Sequence, residues 1–570
     1  MSELETRIFM NRSDLVSLFS LCALWVLMSA LVNPIGDFPL NDDWRYALGV
    51  KSILDAGRFE LPSPEAPNVF AQAYWGALFC LPSGFSFTAL RFSTLTLGGA
   101  GICALYLLIL ETGGNRRTAL LGGLTLAVNP LYFGLAHTFM TDVPFVALVI
   151  TALWLFVRGF QREERVSLLA GILVALFTIL IRQFALLLLL AFGAAHVMKR
   201  GATWKAFLVA IMPLSVGIGM HVFYQHWMVE TGRTPHFELA SFNLVPTPFG
   251  AFVTYSLRYI IIALPYLGFF IAPFLASVAL LGSHPDGRNR RLLVCLLVVT
   301  LAGALLMGLY TVYTPLRDPA HILAPFGLGA RLLRDTYHLR QNFPVIPAGM
   351  TIFWSGSIVV GALGGAAALL YLAPTTIKVA KGIWRPERRA ESWLEALILV
   401  FFAAYAISML LVGFSLHSPL FDRYLLVFVP VIFVLVVTKE TRSRYTLAHR
   451  WRGVLSLTLV LVYAVVDVAA THDYLAWNRA RWMATAKLMD ARISPRQIDG
   501  GYEFNGWYLF ELDYHRKADK SYWWVDDDEY IIASGPIKGY RELQRFSYSA
   551  WLLLADASVV VLHRLDSGNR

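Results

Sequence analysis

Two acids and two arginines stand at positions where chemistry is possible in a chain otherwise rich in apolar residues. The stretch Asn41-Asp42-Asp43-Trp44-Arg45-Tyr46-Ala47 follows the first apolar run and leads into an amphipathic segment that reaches about Asp55. Adjacent residues on a helix point about 100° apart, so Asp42 and Asp43 are expected to divide their roles, one holding local structure and the other facing a substrate. Taken alone, the same residues also describe a solvated turn with an Asp N-cap before a surface helix. A second acid lies in His137-Thr138-Phe139-Met140-Thr141-Asp142-Val143-Pro144-Phe145. In isolation the simpler account there is a Thr141 or Asp142 cap with Pro144 in the first helical turn.

Arg182-Gln183 interrupts a long apolar stretch, and an arginine at such a depth needs a phosphate, a carboxylate or water as partner. A structural ion pair or snorkelling to the outer surface would also satisfy it. Arg423 sits in Ser418-Pro419-Leu420-Phe421-Asp422-Arg423-Tyr424, where Asp422 can simply pair with it. Acids from separate elements suit a general base or a divalent-ion site, and outward arginines suit an anionic ligand.

The elements that must position these residues are membrane spans. Of the 570 residues 57% are hydrophobic and 15% charged, against roughly 45–50% and 25% in an ordinary soluble domain, which excludes a soluble multidomain enzyme. The net charge of +10 falls largely in short loops between apolar runs, so topology explains it better than nucleic-acid binding. Cys22, Cys80, Cys103 and Cys295 are too scattered for a disulfide framework or a cysteine metal site. The run Leu15 to Val32 has no small-residue cleavage pattern and is expected to be a retained first helix.

With about 20 residues per crossing, helices are predicted near 13–33, 88–110, 118–136, 143–158, 166–181, 183–198, 205–224, 251–282, 292–314, 351–374, 393–413, 424–438 and 453–470. Placing the N-terminus inside puts Arg116 and Arg117, then Arg158, Arg162 and Arg165, then Lys199 and Arg200 on cytoplasmic turns, and the later basic loops keep the parity. That parity requires two helices hinged near Arg182 rather than one long helix over 166–198. It also brings Asp42 and Asp142 to the same outer face, where they can converge on one cavity.

The outer pieces are then the first loop, 33–87, loops near 225–250 and 315–350, and a tail after Ala470. The tail carries Gly500-Gly501-Tyr502, Trp523-Trp524 and strand-like runs at Tyr530 to Ala533 and Ser558 to Leu562, so 471–570 is expected to be a small α/β domain beside a 1–470 membrane domain. Its aromatic residues Trp507, Tyr508, Trp523 and Trp524 suit a small core better than a sugar platform. Asp526-Asp527-Asp528-Glu529 lacks the glycine and spacing of a calcium loop and suits a solvated acidic turn. No internal repeat or matched halves of the kind many transporters show are present.

About thirteen helices, an acidic pair followed by Arg-Tyr in the first outer loop, a second Asp before the fourth helix and an outer C-terminal part together resemble the GT-C glycosyltransferases. Within that superfamily the chain resembles the lipid A aminoarabinose transferases and the protein O-mannosyltransferases, over most of residues 13–470. The family's first-loop Asp-Glu-x-Arg-Tyr lies over Asp42-Asp43-Trp44-Arg45-Tyr46, with Asp in place of the second-position Glu. Asp142 matches the second family acid, and Asp422-Arg423-Tyr424-Leu425-Leu426 before a helix containing Pro430 is similar to a late-helix pattern.

The resemblance implies an α-helical polytopic membrane protein of GT-C type with a small α/β C-terminal extracytoplasmic domain, facing the periplasm from a bacterial inner membrane. It implies transfer of a sugar, hexosyl or pentosyl, from a polyprenyl-phosphate donor to a lipid, glycan or protein acceptor. Asp42 and Asp142 are expected to be catalytic, with Asp43, Arg45, Tyr46, His137, Arg182 and Arg423 contacting substrate. A divalent metal ion on Asp42 and Asp142 is a further expectation. No nucleotide cofactor and no nucleic-acid partner are expected. The competing readings are a transporter or flippase for a lipid-linked glycan, and a membrane scaffold whose tail binds partners.

Overall fold

A computed structural model describes residues 11–61, 68–234, 249–277, 356–357, 359–369, 390–415, 421–443, 450–515, 523–552 and 557–565. The predicted helix 292–314, the outer loop 315–350 and most of the 225–250 loop lie outside the described residues.

Helix α1 (Arg12–Val32) starts at a reciprocal cap in which Asn11 accepts from the Asp14 N–H and Asp14 accepts from the Asn11 N–H. Its Leu21, Trp25 and Met28 are buried while Leu15, Val16, Phe19 and Val26 are exposed, the pattern of a span with one side on the bundle and one on lipid. The first loop folds into α2 (Asp43–Ala56) and α3 (Phe70–Cys80), followed by α4 (Phe87–Glu111). Helix α2 matches the expected amphipathic segment.

The predicted span 118–136 is two helices, α5 (Arg116–Ala127) and α6 (Pro130–Ala136), bent by 60°. Pro130 has no N–H to continue the ladder, and the Asn129 side chain caps the Leu131 and Tyr132 N–H groups instead. Helix α7 is Asp142–Arg162. The 166–198 stretch breaks as predicted, into α8 (Arg165–Ile179) and α9 (Leu186–Arg200), with Arg182 extended between them. First-loop residues secure that break, since the Val69 and Ala71 N–H groups donate to the Ile181 and Leu180 carbonyls.

Next come α10 (Trp204–Glu230), α11 (Phe249–Ser277), α12 (Val359–Leu369), α13 (Trp393–Ser415) and α14 (Phe428–Ser443). Helices α11 and α12 meet through Gly268 against Gly361, Gly364 and Gly365, so close that a methyl group on Gly268 would lie on backbone atoms, and small residues of this kind let apolar helices touch. Among the described residues eight helices are long and apolar enough to cross a membrane, or nine if a bent pair is one span.

The last long helix, α15 (Arg450–Asp490), runs twenty residues past the predicted end at Ala470. Hydropathy falls there, but 471–490 holds no Gly or Pro, and backbone hydrogen bonding continues wherever it is not broken. Its 41 residues rise about 60 Å, roughly twice a bilayer's hydrocarbon core. It leads to β1 (Ile498–Asp499), α16 (Tyr502–Leu509), β2 (Tyr530–Ala533), β3 (Tyr540–Tyr548) and β4 (Ala557–Arg564). The sheet order is β1-β2-β4-β3, parallel only between β1 and β2. One sheet face, with Ile532, Val559 and Val561, joins the main core, and the other holds Ile531, Ala533, Val560 and Leu562.

Candidate active site

Asp42, Asp142, Arg182 and Arg423 are adjacent in the structure although they come from four elements. Asp142, the first residue of α7, lies 2.9 Å from Arg182 Nη2, with its Oδ1 3.8 Å from Arg423 Nε. Arg423 Nη1 is 3.8 Å from Asp42 Oδ2, so one guanidinium faces both acids. The expected Thr141 or Asp142 cap is not made. The Thr141 hydroxyl accepts from Arg182 Nε at 2.7 Å instead, tying the α8–α9 break to the start of α7.

The two acids differ in access. The Asp142 side chain is 1% exposed and the Asp42 side chain 27%, which leaves Asp42 as the carboxylate a second molecule can reach. Burial opposes the charge on Arg423, but Asp142, Tyr424 and Asp42 raise its pKa above the ordinary value. Arg423 Nε and Nη1 donate to no protein acceptor among the described residues, and the Asp142 pair is a charge contact rather than an aligned hydrogen bond. Tyr46 is buried beside this group, and burial followed by the Asp42 charge raises its phenol pKa.

Asp43, expected among the substrate contacts, is buried. Its Oδ1 accepts from the Leu40 N–H at 2.6 Å and its Oδ2 from the Phe139 N–H at 3.1 Å, so it links the first loop to the α6–α7 turn. Both of its oxygens are therefore engaged by backbone donors, contacts that no sequence pattern announces. Burial pushes its pKa up to about 8, against the Arg91 guanidinium and the two amides. The folded state then keeps a proton that the unfolded chain releases, so this group's contribution to stability falls as pH rises from about 4 to about 8. A wild-type melting midpoint that decreases over that window, with a flatter profile in Asp43→Asn, is the expected result. Asp43→Asn also turns an amide donor against an N–H donor and is expected to cost about 1–3 kcal/mol.

Arg91 of α4 holds the same loop from below: its guanidinium donates to the carbonyls of Pro34, Gly36 and Phe38 and stacks on the Phe38 ring. Arg45 lies over Trp44, at 5.2 Å from the ring centroid. His137 does not join the acids. Its Nδ1 shares a hydrogen bond with the Phe133 carbonyl, its ring packs edge-on against Phe133, and burial lowers its pKa to about 4.

Asp42 and Asp142, the carboxylates expected to hold a divalent ion, face guanidinium groups instead. Among the described residues no group of three or more His, Cys, Asp or Glu side chains could hold an ion. The acidic run near Asp527 is paired locally, with Arg564 on Asp527 and Asp528 and His563 on Glu529.

No sequence pattern indicates that the C-terminal part reaches Asp42. Tyr502 donates its hydroxyl proton to Asp42 Oδ1 at 2.5 Å, and Glu503 accepts from the Asn41 N–H at 3.1 Å and from Arg481 at 2.7 Å. Trp44 is fully buried among Tyr502, Phe510 and Trp524, and Trp507 stacks on Phe85. The tail aromatics thus pack on the first loop as well as on one another. A partner some 460 residues away leaves no local pattern.

The family model of the dolichyl-phosphate-mannose-protein mannosyltransferases matches residues 68–228. The chain resembles a GT-C glycosyltransferase. The matched stretch includes His137, Asp142 and Arg182, and it leaves out Asp42, Asp43, Arg45, Tyr46 and Arg423. Among solved structures, the oligosaccharyltransferase AglB from Archaeoglobus fulgidus, in complex with an inhibitory peptide and a dolichol-phosphate, is 14% identical with a TM-score of 0.42, over 90% of this chain and 61% of that one. ArnT from Cupriavidus metallidurans bound to undecaprenyl phosphate is 12% identical with a TM-score of 0.41, over 97% and 98%. Arabinosyltransferase EmbB from Mycobacterium smegmatis is 14% identical with a TM-score of 0.33, over 85% and 43%. The chain spans 61% of the length of the archaeal oligosaccharyltransferases it matches. No curated protein matches it.

Proposed function

We propose that this chain is a membrane glycosyltransferase that moves a sugar from a polyprenyl-phosphate donor to a hydroxyl or amine acceptor at the outer face of the membrane. The observation that carries the reading is Arg423, whose guanidinium lies 3.8 Å from both acids and keeps two nitrogens without a protein acceptor among the described residues. A base and a phosphate-binding cation are thereby side by side, which is what displacement of a lipid phosphate by an acceptor requires. The matched family, whose name specifies a sugar carried on dolichyl phosphate, supports the same donor class.

In this reading the acceptor oxygen or nitrogen attacks the anomeric carbon as the bond from that carbon to the phosphate oxygen breaks. Asp42 Oδ2 takes the acceptor's proton, and the polyprenyl phosphate leaves with the electron pair. A single displacement through an oxocarbenium-like state inverts the anomeric centre. Arg182 and Arg423 hold the phosphate oxygens by charge-assisted hydrogen bonds, and Asp142 fixes the two guanidinium groups. The fuller architecture belongs to the proposal: a GT-C arrangement of about thirteen spans over 1–470, an extracytoplasmic part at 471–570, and a bacterial inner membrane with the site facing the periplasm.

Purified protein given radiolabelled mannosyl-phosphoryl-undecaprenol and a native membrane fraction is expected to move label from the donor to membrane acceptors, and to do so in EDTA. Label that crosses a vesicle bilayer with no new glycosidic bond, for this and other polyprenyl-phosphate sugars, would make the chain a transporter instead.

A further inference from the structure

We propose that the C-terminal segment completes the site, with Tyr502 as the positioning residue that aims the Asp42 carboxylate. The inference rests on the reading of Asp42 as the base. Asp42 is the N-cap of α2, yet its side chain makes no cap hydrogen bond, so nothing in its own helix fixes the direction of its oxygens. The Tyr502 hydroxyl does so from outside, donating to Oδ1 at 2.5 Å and leaving Oδ2 on the side of Arg423.

Tyr502 is itself held on several sides. Gly501, at φ 87°, makes a turn that L side chains rarely adopt, and a methyl group there would come within 3.1 Å of Arg481. Asp499 Oδ1 accepts from the Gly501 N–H at 3.1 Å and from Asn505 Nδ2 at 2.7 Å, while Asn505 Oδ1 accepts from the Gly500 N–H at 3.1 Å. Asp499 and Asn505 are fully buried, so this network fixes the turn well away from water. On the other side of Tyr502, Glu503 bridges the Asn41 N–H and Arg481. Two successive residues of the tail therefore bond two successive residues of the first loop.

The Tyr502 ring packs among Trp44, Trp523 and Trp524. Burial and then the Asp42 charge raise its phenol pKa well above the ordinary value, which keeps it a donor. A tyrosine that served packing alone would need none of the polar network that orients its hydroxyl. A base held by one oxygen presents the other in a constant direction, and a misaimed base lowers turnover without changing how the donor's phosphate binds.

Tyr502→Phe keeps the ring and deletes the bond. With mannosyl-phosphoryl-undecaprenol as probe, it is expected to lower kcat by roughly 10–100-fold, the range for a lost hydrogen bond to a charged group, with the donor KM unchanged. In an Asp42→Asn background the same change is expected to have no further effect on residual turnover, because the two groups act as one unit. Wild-type kcat in Tyr502→Phe, an equal fold-loss in both backgrounds, or a raised donor KM with unchanged kcat would each overturn the proposal. Full turnover in Asp42→Asn alone would instead overturn the assignment of the base, and no transfer by the wild-type chain from this or any other polyprenyl-phosphate sugar would overturn both.

Discussion

Asp42→Asn is expected to lower sugar transfer by about 10²–10⁴-fold, the range a positioned general base supplies. Asparagine has the shape of aspartate but cannot take the acceptor's proton. The fold should tolerate the change, because Asp42 is part-exposed, caps nothing, and the Tyr502 hydroxyl can donate to an amide oxygen as it does to Oδ1. Donor binding should also survive, since Arg182 and Arg423 remain and Asp142 still neutralises them. The expected signature is therefore a collapse of kcat with the affinity for undecaprenyl phosphate, measured by calorimetry, within a few-fold of wild type. Turnover within twofold of wild type would take the base away from Asp42, and matched losses in kcat and phosphate affinity would make it part of the binding site instead.

What the sequence made legible is what local chemistry determines. Apolar runs predict spans because the bilayer sets their length, and the parity of the basic loops predicted a break near Arg182, which is extended between two helices. The amphipathic stretch after Asp42 became α2 because its own periodicity suits a surface helix. The adjacency of Asp42 and Asp43 implied divided roles, but the commitment of Asp43 to the Leu40 and Phe139 amides depends on a turn 96 residues away.

Other features were hidden because they depend on contacts between distant segments. Nothing near Thr141 says that its hydroxyl meets Arg182 rather than capping α7, and nothing near Asp142 says that its neighbours are guanidinium groups rather than an ion. His137, five residues before Asp142, turns back onto Phe133 because the α6–α7 turn buries it. The continuation of α15 beyond Ala470 was concealed because hydropathy falls there, although a membrane boundary does not break backbone hydrogen bonds. The reach of Tyr502 to Asp42 depends on that continuation, since α15 carries the chain out to the turn at Gly500-Gly501.

Asp142→Asn is expected to be the most destabilising single change at the site, because of what it leaves behind. Asp142 is almost fully buried and is the carboxylate nearest Arg182, while Arg423 faces it and Asp42 at equal distance. Removing its charge strands two buried guanidinium groups, and breaking a buried pair from one side costs about 3–5 kcal/mol. Most of that cost belongs to the unpaired arginine rather than to the attraction lost. The double change Asp142→Asn/Arg182→Gln should therefore melt closer to wild type than Asp142→Asn does, while transfer stays low in both because the phosphate has lost a cation or its alignment. If Asp142 instead contacts sugar hydroxyls, asparagine would keep the melting midpoint and raise the donor KM alone. The melting comparison of single and double variants separates these cases without any assay of transfer, and recovery in the double variant would establish that the arginines, held by Asp142, are the reason for the acid at this position.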